Sequence, residues 1–199
     1  MRWPYAYHLT STTNLPYLQA TGIIYSAREL CGRFDQNPDE FLNNRRAVGL
    51  VVAKDGVSVH IRDQAPLYEA NVVFQEGWDF RQLLAALNER CFFWPGTANG
   101  PNPYGQRHYA RYEAEHPLVL RLAASGLPDE LEFCRFNSGS PRWSRGQASP
   151  RGPETFRPAA ECDFKAGRIV EVTVRQSVAL PRTTEYGPSP SGPWTPLFP

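Results

Sequence analysis

The chain has 199 residues, with 21 basic against 20 acidic side chains and a formal charge of +1, so no global field drives it to nucleic acid or a membrane. Apolar residues make up 41%, a globular composition with enough chain for one real core. Nineteen prolines and 15 glycines demand many irregular connections and argue against a helical bundle or coiled coil.

Tyr5 to Thr10 alternates as a short strand. Asn14 is placed to cap a short helix, with Pro16 in its first turn and Gly22 closing it. Ser26 to Phe34 reads as a second short helix, followed by a polar segment to Asn44. Ala47 to Ala53 and Val57 to Arg62 are β-rich runs split by Lys54-Asp55-Gly56, which predicts a hairpin. Trp78 to Arg90 is the clearest helix: Phe80, Leu83, Leu84 and Leu87 share one face, and Arg81, Asn88 and Glu89 fall on the other.

Cys91 to Trp94 reads as a strand ended by Pro95 and Gly96; a loop to Gly105 and a polar helix from Gln106 to His116 follow. Leu118 to Ala123 and Leu131 to Phe136 are further strands, and Asn137 to Pro158 lacks periodicity. Arg168 to Val178 alternates, with Ile169, Glu171 and Thr173 on one face and Val170, Val172 and Val174 on the other. After Pro181 the chain is rich in Pro, Gly, Ser and Thr. The expected organisation is one α+β domain over residues 1–180 and a C-terminal tail over 181–199, poorly packed unless Trp194 and Phe198 dock.

The N-terminus has no apolar h-region, and the longest clean apolar run is Ala47 to Ala53. That excludes a spanning helix and argues against a signal peptide, so the expected location is cytoplasmic with no membrane partner. Cys31, Cys91, Cys134 and Cys162 are far apart, which favours four buried thiols over a disulfide framework. Lys54 and Lys165 are the only lysines. Arginine usage of this kind reflects either genomic bias or a surface that grips flat anions. The sequence contains no P-loop, no Gly-rich dinucleotide fingerprint, no GxSxG elbow and no HExxH, and its four histidines lack metal-ligand spacing, so no metal is expected.

Three places carry a signal. His8 and Thr10 share a face of the first strand just before the capped helix; a satisfied histidine at a strand end is the bland alternative. Asn43-Asn44-Arg45-Arg46 runs into a hairpin that ends Ile61-Arg62-Asp63-Gln64, where an arginine is commonly a surface residue or paired to an acid such as Asp63. Glu171 interrupts an apolar alternating strand, as it would on the solvent face of an edge strand.

The opening His8-x-Thr10-x3-Asn14-Leu15-Pro16-x5-Gly22 resembles the first strand and helix of DarT-type DNA ADP-ribosyltransferases. It resembles still more closely an uncharacterised bacterial family distantly related to them. That second family also shows features like Ile61-Arg62-Asp63-Gln64, Leu87 to Trp94, Asn137-Ser138-Gly139, Pro150-Arg151-Gly152-x2-Thr155-Phe156 and a late Ile-Val-Glu-Val strand. The resemblance covers most of residues 5 to 180 and stops at the tail.

It implies an ADP-ribosyltransferase-like α+β fold: two small, mostly antiparallel sheets with NAD, the co-substrate, in the cleft between them and few flanking helices. It further implies that Glu171 is the catalytic acid-base and that Arg46, or Arg45 by a register slip, holds the dinucleotide phosphates and orients the reaction. His8 and Thr10 would meet the nicotinamide-ribose side, and Asn14, Gly22 and Arg62 would complete the NAD contacts. The segment around Arg62 departs from the DarT pattern, and Ile169 removes the Glu-x-Glu pair with which related enzymes address protein arginine.

Between Arg135 and Arg157 lie five arginines, one acid and the aromatics Phe136, Trp143 and Phe156. Basic charge interleaved with aromatics suits a single-stranded nucleic acid, and a solvated arginine-rich loop suits it equally. On the first reading Arg142, Trp143, Arg145, Arg151, Thr155 and Phe156 bind the acceptor, single-stranded DNA or a nucleobase, in a toxin or defence factor with a possible antitoxin. Two further readings stay open: an NAD glycohydrolase or small-molecule ADP-ribosyltransferase, and a non-catalytic module that binds a nucleotide or a protein partner.

Overall fold

The computed structural model describes residues 3–136, 150–162 and 168–199 in full, and the backbone of two short strands at 143–144 and 147–148. β1 (Tyr5–Thr10) leads through a 3-10 turn to α1 (Leu15–Thr21), then β2 (Ile23–Tyr25), α2 (Ala27–Arg33) and α3 (Pro38–Leu42). β3 (Leu50–Lys54) and β4 (Val57–Ile61) precede α4 (Phe80–Asn88), β5 (Arg90–Thr97), β6 (Gly100–Pro101) and α5 (Pro103–Tyr112). Next come β7 (Leu118–Ala123), β8 (Glu132–Cys134), β9 (Trp143–Ser144), β10 (Gln147–Ala148) and β11 (Phe156–Pro158). β12 (Glu171–Arg175), β13 (Ser177–Ala179), β14 (Glu185–Gly187) and β15 (Thr195–Pro196) complete the strands.

Local chemistry sets the boundaries. Ser26 Oγ accepts from Glu29 N to start α2, and Asp79 and Gln82 exchange bonds as a capping box on α4. Asp55 and Gly56, both at positive φ, form the β3–β4 turn. Two helices depart from expectation for capping reasons. α3 forms inside the stretch read as a polar segment, because Asn37 accepts from Asp39 N and Pro38 suits a first turn. α5 starts three residues early, because Asn102 accepts from Gly105 N.

Every ladder among the described strands is antiparallel. A nine-stranded sheet runs β11-β8-β12-β5-β1-β7-β14-β15 with β6 beside β5, and β2–β13, β3–β4 and β9–β10 form separate pairs. The expected α+β class, with mostly antiparallel strands and few helices, is what is observed. β5 is shared between two halves: Arg90 to Phe93 pair with β12 on one edge, and Trp94 to Gly96 pair with β1 on the other. The strand therefore runs on through Pro95, where the sequence suggests an end. The β12 ladder has already stopped at Phe93, so a residue without an N–H is tolerated there. Gly96 lets β6 lie close, since a Cβ there would collide with the Gly100 carbonyl.

The main core packs Ala6, Phe93, Leu120, Leu122, Val172 and Leu197, each at most 2% exposed. The larger of these side chains contribute roughly 1.5–3 kcal/mol each relative to exposure. A second cluster of Leu30, Phe34, Phe41, Val52, Val59 and Ile61 ties α2 and α3 to the β3–β4 hairpin. All four cysteines are free and buried. The tail docks rather than hanging loose. β14 pairs with the edge of β7, Phe198 packs on Gly22, and Trp194 stacks near Tyr7 and under Arg121. Among the described residues no helix is long and apolar enough to cross a membrane.

Candidate functional site

β1 follows β5 only as far as Tyr7, paired with Trp94, and then leaves it while still pairing with β7. The divergence opens a cavity of about 250 Å³ between the sheet core and the hairpin cluster. His8, Thr10, Asn14, Arg46, Arg62 and Glu171 all line it. Residues spread over more than 160 positions of sequence thus converge on one space.

His8 sits where β1 departs. Its Nδ1 lies 2.8 Å from the Phe92 carbonyl, on the β5 edge that β1 has left. Burial holds its pKa below the ordinary 6.5, so the ring is neutral. A carbonyl only accepts, so Nδ1 carries the proton and Nε2 is left as an acceptor. Thr10 Oγ1 accepts from Asn14 Nδ2 at 2.8 Å, which leaves its own hydroxyl proton free to donate.

Asn14 is committed to the protein. Its Nδ2 also donates to the His60 carbonyl at 2.8 Å, and its Oδ1 accepts from His60 N at 2.7 Å. This two-point clamp holds β4 against β1, so Asn14 builds the cavity wall with both amide hydrogens committed. Its side chain does not cap α1: Ser11 accepts from Thr13 N to start the preceding turn. Gly22 does not line the cavity; it terminates α1 at φ 65°, where a left-handed residue is required.

Three arginines line the cavity; Arg62 and Arg90 meet Glu115 and Glu132, and Arg46 is the third. Nε donates to the Arg62 carbonyl (3.2 Å), and Nη1 to the Phe41 carbonyl (3.3 Å) and Asn88 Oδ1 (2.9 Å). Every one of these acceptors is neutral, and Arg46 has no ion-pair partner among the described residues. Desolvation pulls its pKa down to about 10, with Asp63 opposing, so it stays charged. Arg45 points elsewhere, donating to the Ala65 carbonyl and lying over Tyr68. The structure therefore separates the two arginines that the sequence left as alternatives. Arg62 stacks on Tyr112, 3.8 Å from the ring centroid, and meets Glu115 at 3.4 Å.

Glu171 begins β12, which lies between β8 and β5 and is no edge strand. Both faces of the alternation from Ile169 to Val174 are buried, and Glu171 is 8% exposed. Desolvation pushes its pKa up to about 8, with the Trp94 indole opposing. No basic group forms an ion pair with it among the described residues. Glu132 is the instructive contrast: Arg90 binds it at 2.6 and 3.1 Å, Thr173 at 3.3 Å and Arg175 at 3.2 Å. Although burial raises its pKa, those arginines hold it below the ordinary carboxylate value. Glu132 braces the sheet; Glu171 lies beside a cavity with no ion-pair partner among the described residues, the pattern that marks a reactive carboxyl.

Arg151, Thr155 and Phe156 do not form an exposed acceptor surface. Arg151 is 5% exposed, its guanidinium 4.0 Å from the Phe136 ring, with its backbone bonded to Val73 and Gln75. Thr155 accepts from Gly152 N, and Phe156 packs on Phe92 beneath Arg90. These residues brace β11 against the segment before α4. Arg142, Arg145, Asn137, Ser138 and the side chain of Trp143 lie outside the described residues. His60, Asp63, Gln64, Asn88, Trp94 and His108 line the cavity without having been singled out as site residues. Asp63, Gln64, Asn88 and Trp94 do fall in the two segments quoted for the family resemblance. Asn88, expected on the polar face of α4, is 1% exposed.

A family of unknown function (DUF7002) matches residues 4–184. No curated protein matches the chain, and no solved structure does.

Proposed function

The chain belongs to that family, and from its site we propose that it is an NAD-dependent ADP-ribosyltransferase whose acceptor is a nucleobase or nucleic acid. The observation that carries the reading is the buried, unpaired Glu171 carboxyl in the same cavity as the neutral His8 and the charged Arg46. Cleaving the nicotinamide–ribose bond releases nicotinamide and builds positive charge on the ribose. A nucleophile then bonds to that carbon and loses one proton. A carboxylate next to the reacting ribose stabilises the charge where it develops.

With its pKa pushed up to about 8 by burial, Glu171 is protonated at neutral pH. An approaching cation favours its ionised form, so binding a positively charged nicotinamide ring would prepare it to accept the nucleophile's proton. Nη2 of Arg46, which has no protein partner among the described residues, suits a phosphate oxygen. The His8 Nε2 acceptor suits a ribose or carboxamide donor, and the free Thr10 hydroxyl proton suits a ribose or carboxamide oxygen. A sheet divided about a shared strand, with the cavity at the division, supports the two-sheet ADP-ribosyltransferase-like arrangement. The nucleic acid acceptor rests on the sequence pattern alone, Arg142, Trp143 and Arg145 in particular, since Arg151, Thr155 and Phe156 are buried.

The test is incubation of the protein and its Glu171→Gln variant with labelled NAD, single-stranded DNA, RNA and cell lysate. Transfer of label to one polymer is expected from wild type, with a loss of about 10²–10⁴ in rate in the variant. NAD loss without a labelled polymer favours hydrolysis or a small acceptor. NAD that stays intact and unbound overturns the reading.

A further inference from the structure

We propose that Asn88 is a positioning residue for Arg46: its side-chain oxygen fixes the guanidinium without cancelling its charge, which keeps that charge available to a diphosphate in the cavity. The role rests on Arg46 being the phosphate contact of the reading above. Asn88 ends α4 and is 1% exposed. Its Nδ2 donates to the Leu42 carbonyl at 2.9 Å, satisfying the free end of α3. Its Oδ1 accepts from Arg46 Nη1 at 2.9 Å and from Gln64 Nε2 at 3.2 Å. Gln64 Oε1 in turn accepts from Arg46 N at 3.2 Å. Two amides therefore hold the arginine from α4 and from the segment after β4.

An aspartate at position 88 could accept the same bond from Arg46, but it would form a buried ion pair and neutralise the group. It would also turn a carboxylate oxygen towards the Leu42 carbonyl. The amide provides the geometry and leaves the charge. Asp63, whose charge acts on Arg46 without an ion pair among the described residues, has its Oδ1 engaged by the Tyr112 hydroxyl at 2.9 Å and Ala65 N at 2.7 Å. The guanidinium is thus oriented by neutral groups at Nε and Nη1, with Nη2 left for an incoming anion. That is the arrangement a charge-assisted phosphate contact requires.

Calorimetric titration with inorganic pyrophosphate at several salt concentrations tests this on wild type, Asn88→Asp, Gln64→Glu and Arg46→Ala. Wild type is expected to bind and Arg46→Ala to lose binding. Asn88→Asp is expected to weaken binding by about tenfold or more, and its affinity should depend less steeply on salt because one net charge has left the site. A merely structural role would shift the melting temperature and leave the salt slope alone. Should Asn88→Asp fail to fold, Gln64→Glu places the same charge beside the same pair from a half-buried position and decides alone.

Affinity and salt slope unchanged in the folded variants, or no pyrophosphate binding by wild type, overturns the proposal. Parallel NAD assays separate the two readings. NAD consumption with variant-insensitive pyrophosphate binding refutes the role of Asn88 only. Asn88-dependent binding with intact NAD refutes the transferase only.

Discussion

Replacing Glu171 by Gln is expected to stabilise the protein while removing the transferase activity proposed for it. The unfolded chain holds this carboxyl near the ordinary 4.5, and burial in the fold raises it to about 8. Below pH 4.5 both states bind the proton, and the group has no effect on stability. Between 4.5 and 8 the unfolded state ionises while the folded state must stay protonated, so stability falls as pH rises. At about 1.4 kcal/mol per pH interval the cost is about 3 kcal/mol at pH 7, levelling at about 5 kcal/mol above pH 8. Glutamine keeps the shape and does not titrate. The assay is urea denaturation of both proteins from pH 5 to 9, with the difference taken at each pH so that every other titrating group cancels. The difference should grow with pH in favour of the variant, and at pH 7 should correspond to several degrees in melting temperature for a chain of this size. Parallel curves, or a variant less stable at pH 8, would refute the claim that Glu171 is buried without an ion-pair partner.

Asn14→Ala removes the clamp on both backbone groups of His60 and the contact to Thr10, and is expected to cost about 2–3 kcal/mol by urea denaturation. Glu132→Ala strips Arg90 of its carboxylate partner in the buried sheet and should cost about 3–5 kcal/mol, far more than loss of the exposed Arg28–Glu89 pair. Deleting residues 185–199 uncovers the β7 edge and removes the fully buried Leu197, so the shortened chain should melt lower and self-associate in light scattering.

Much of the strand and helix order was legible because it depends on local pattern. The strand over Tyr5 to Thr10 and the Asp55-Gly56 turn depend on the backbone of a few residues, and both appear where expected, although burial along the strand does not alternate. α3 was less legible, since five residues with a single cap carry little periodic signal. The polar partners of the site were legible only as motif members. Asn88 shows how far that goes: on a helical wheel it falls among the polar residues, yet α3 and the segment after β4 close over it.

The sequence by itself determined the α+β class, the four unpaired thiols and the alternation that surrounds Glu171, because composition and side-chain period act locally. The rest depended on which strands became neighbours. Alternation assigns Glu171 to a face but does not say whether that face meets water. The position of β12 between β8 and β5 buries both faces and makes the carboxyl reluctant to ionise. Likewise Arg45 and Arg46 are equivalent as adjacent letters. Only the closure of α3, α4 and the β4 end around one of them turned a single guanidinium into the cavity, because the partners that fix it lie up to 42 positions away.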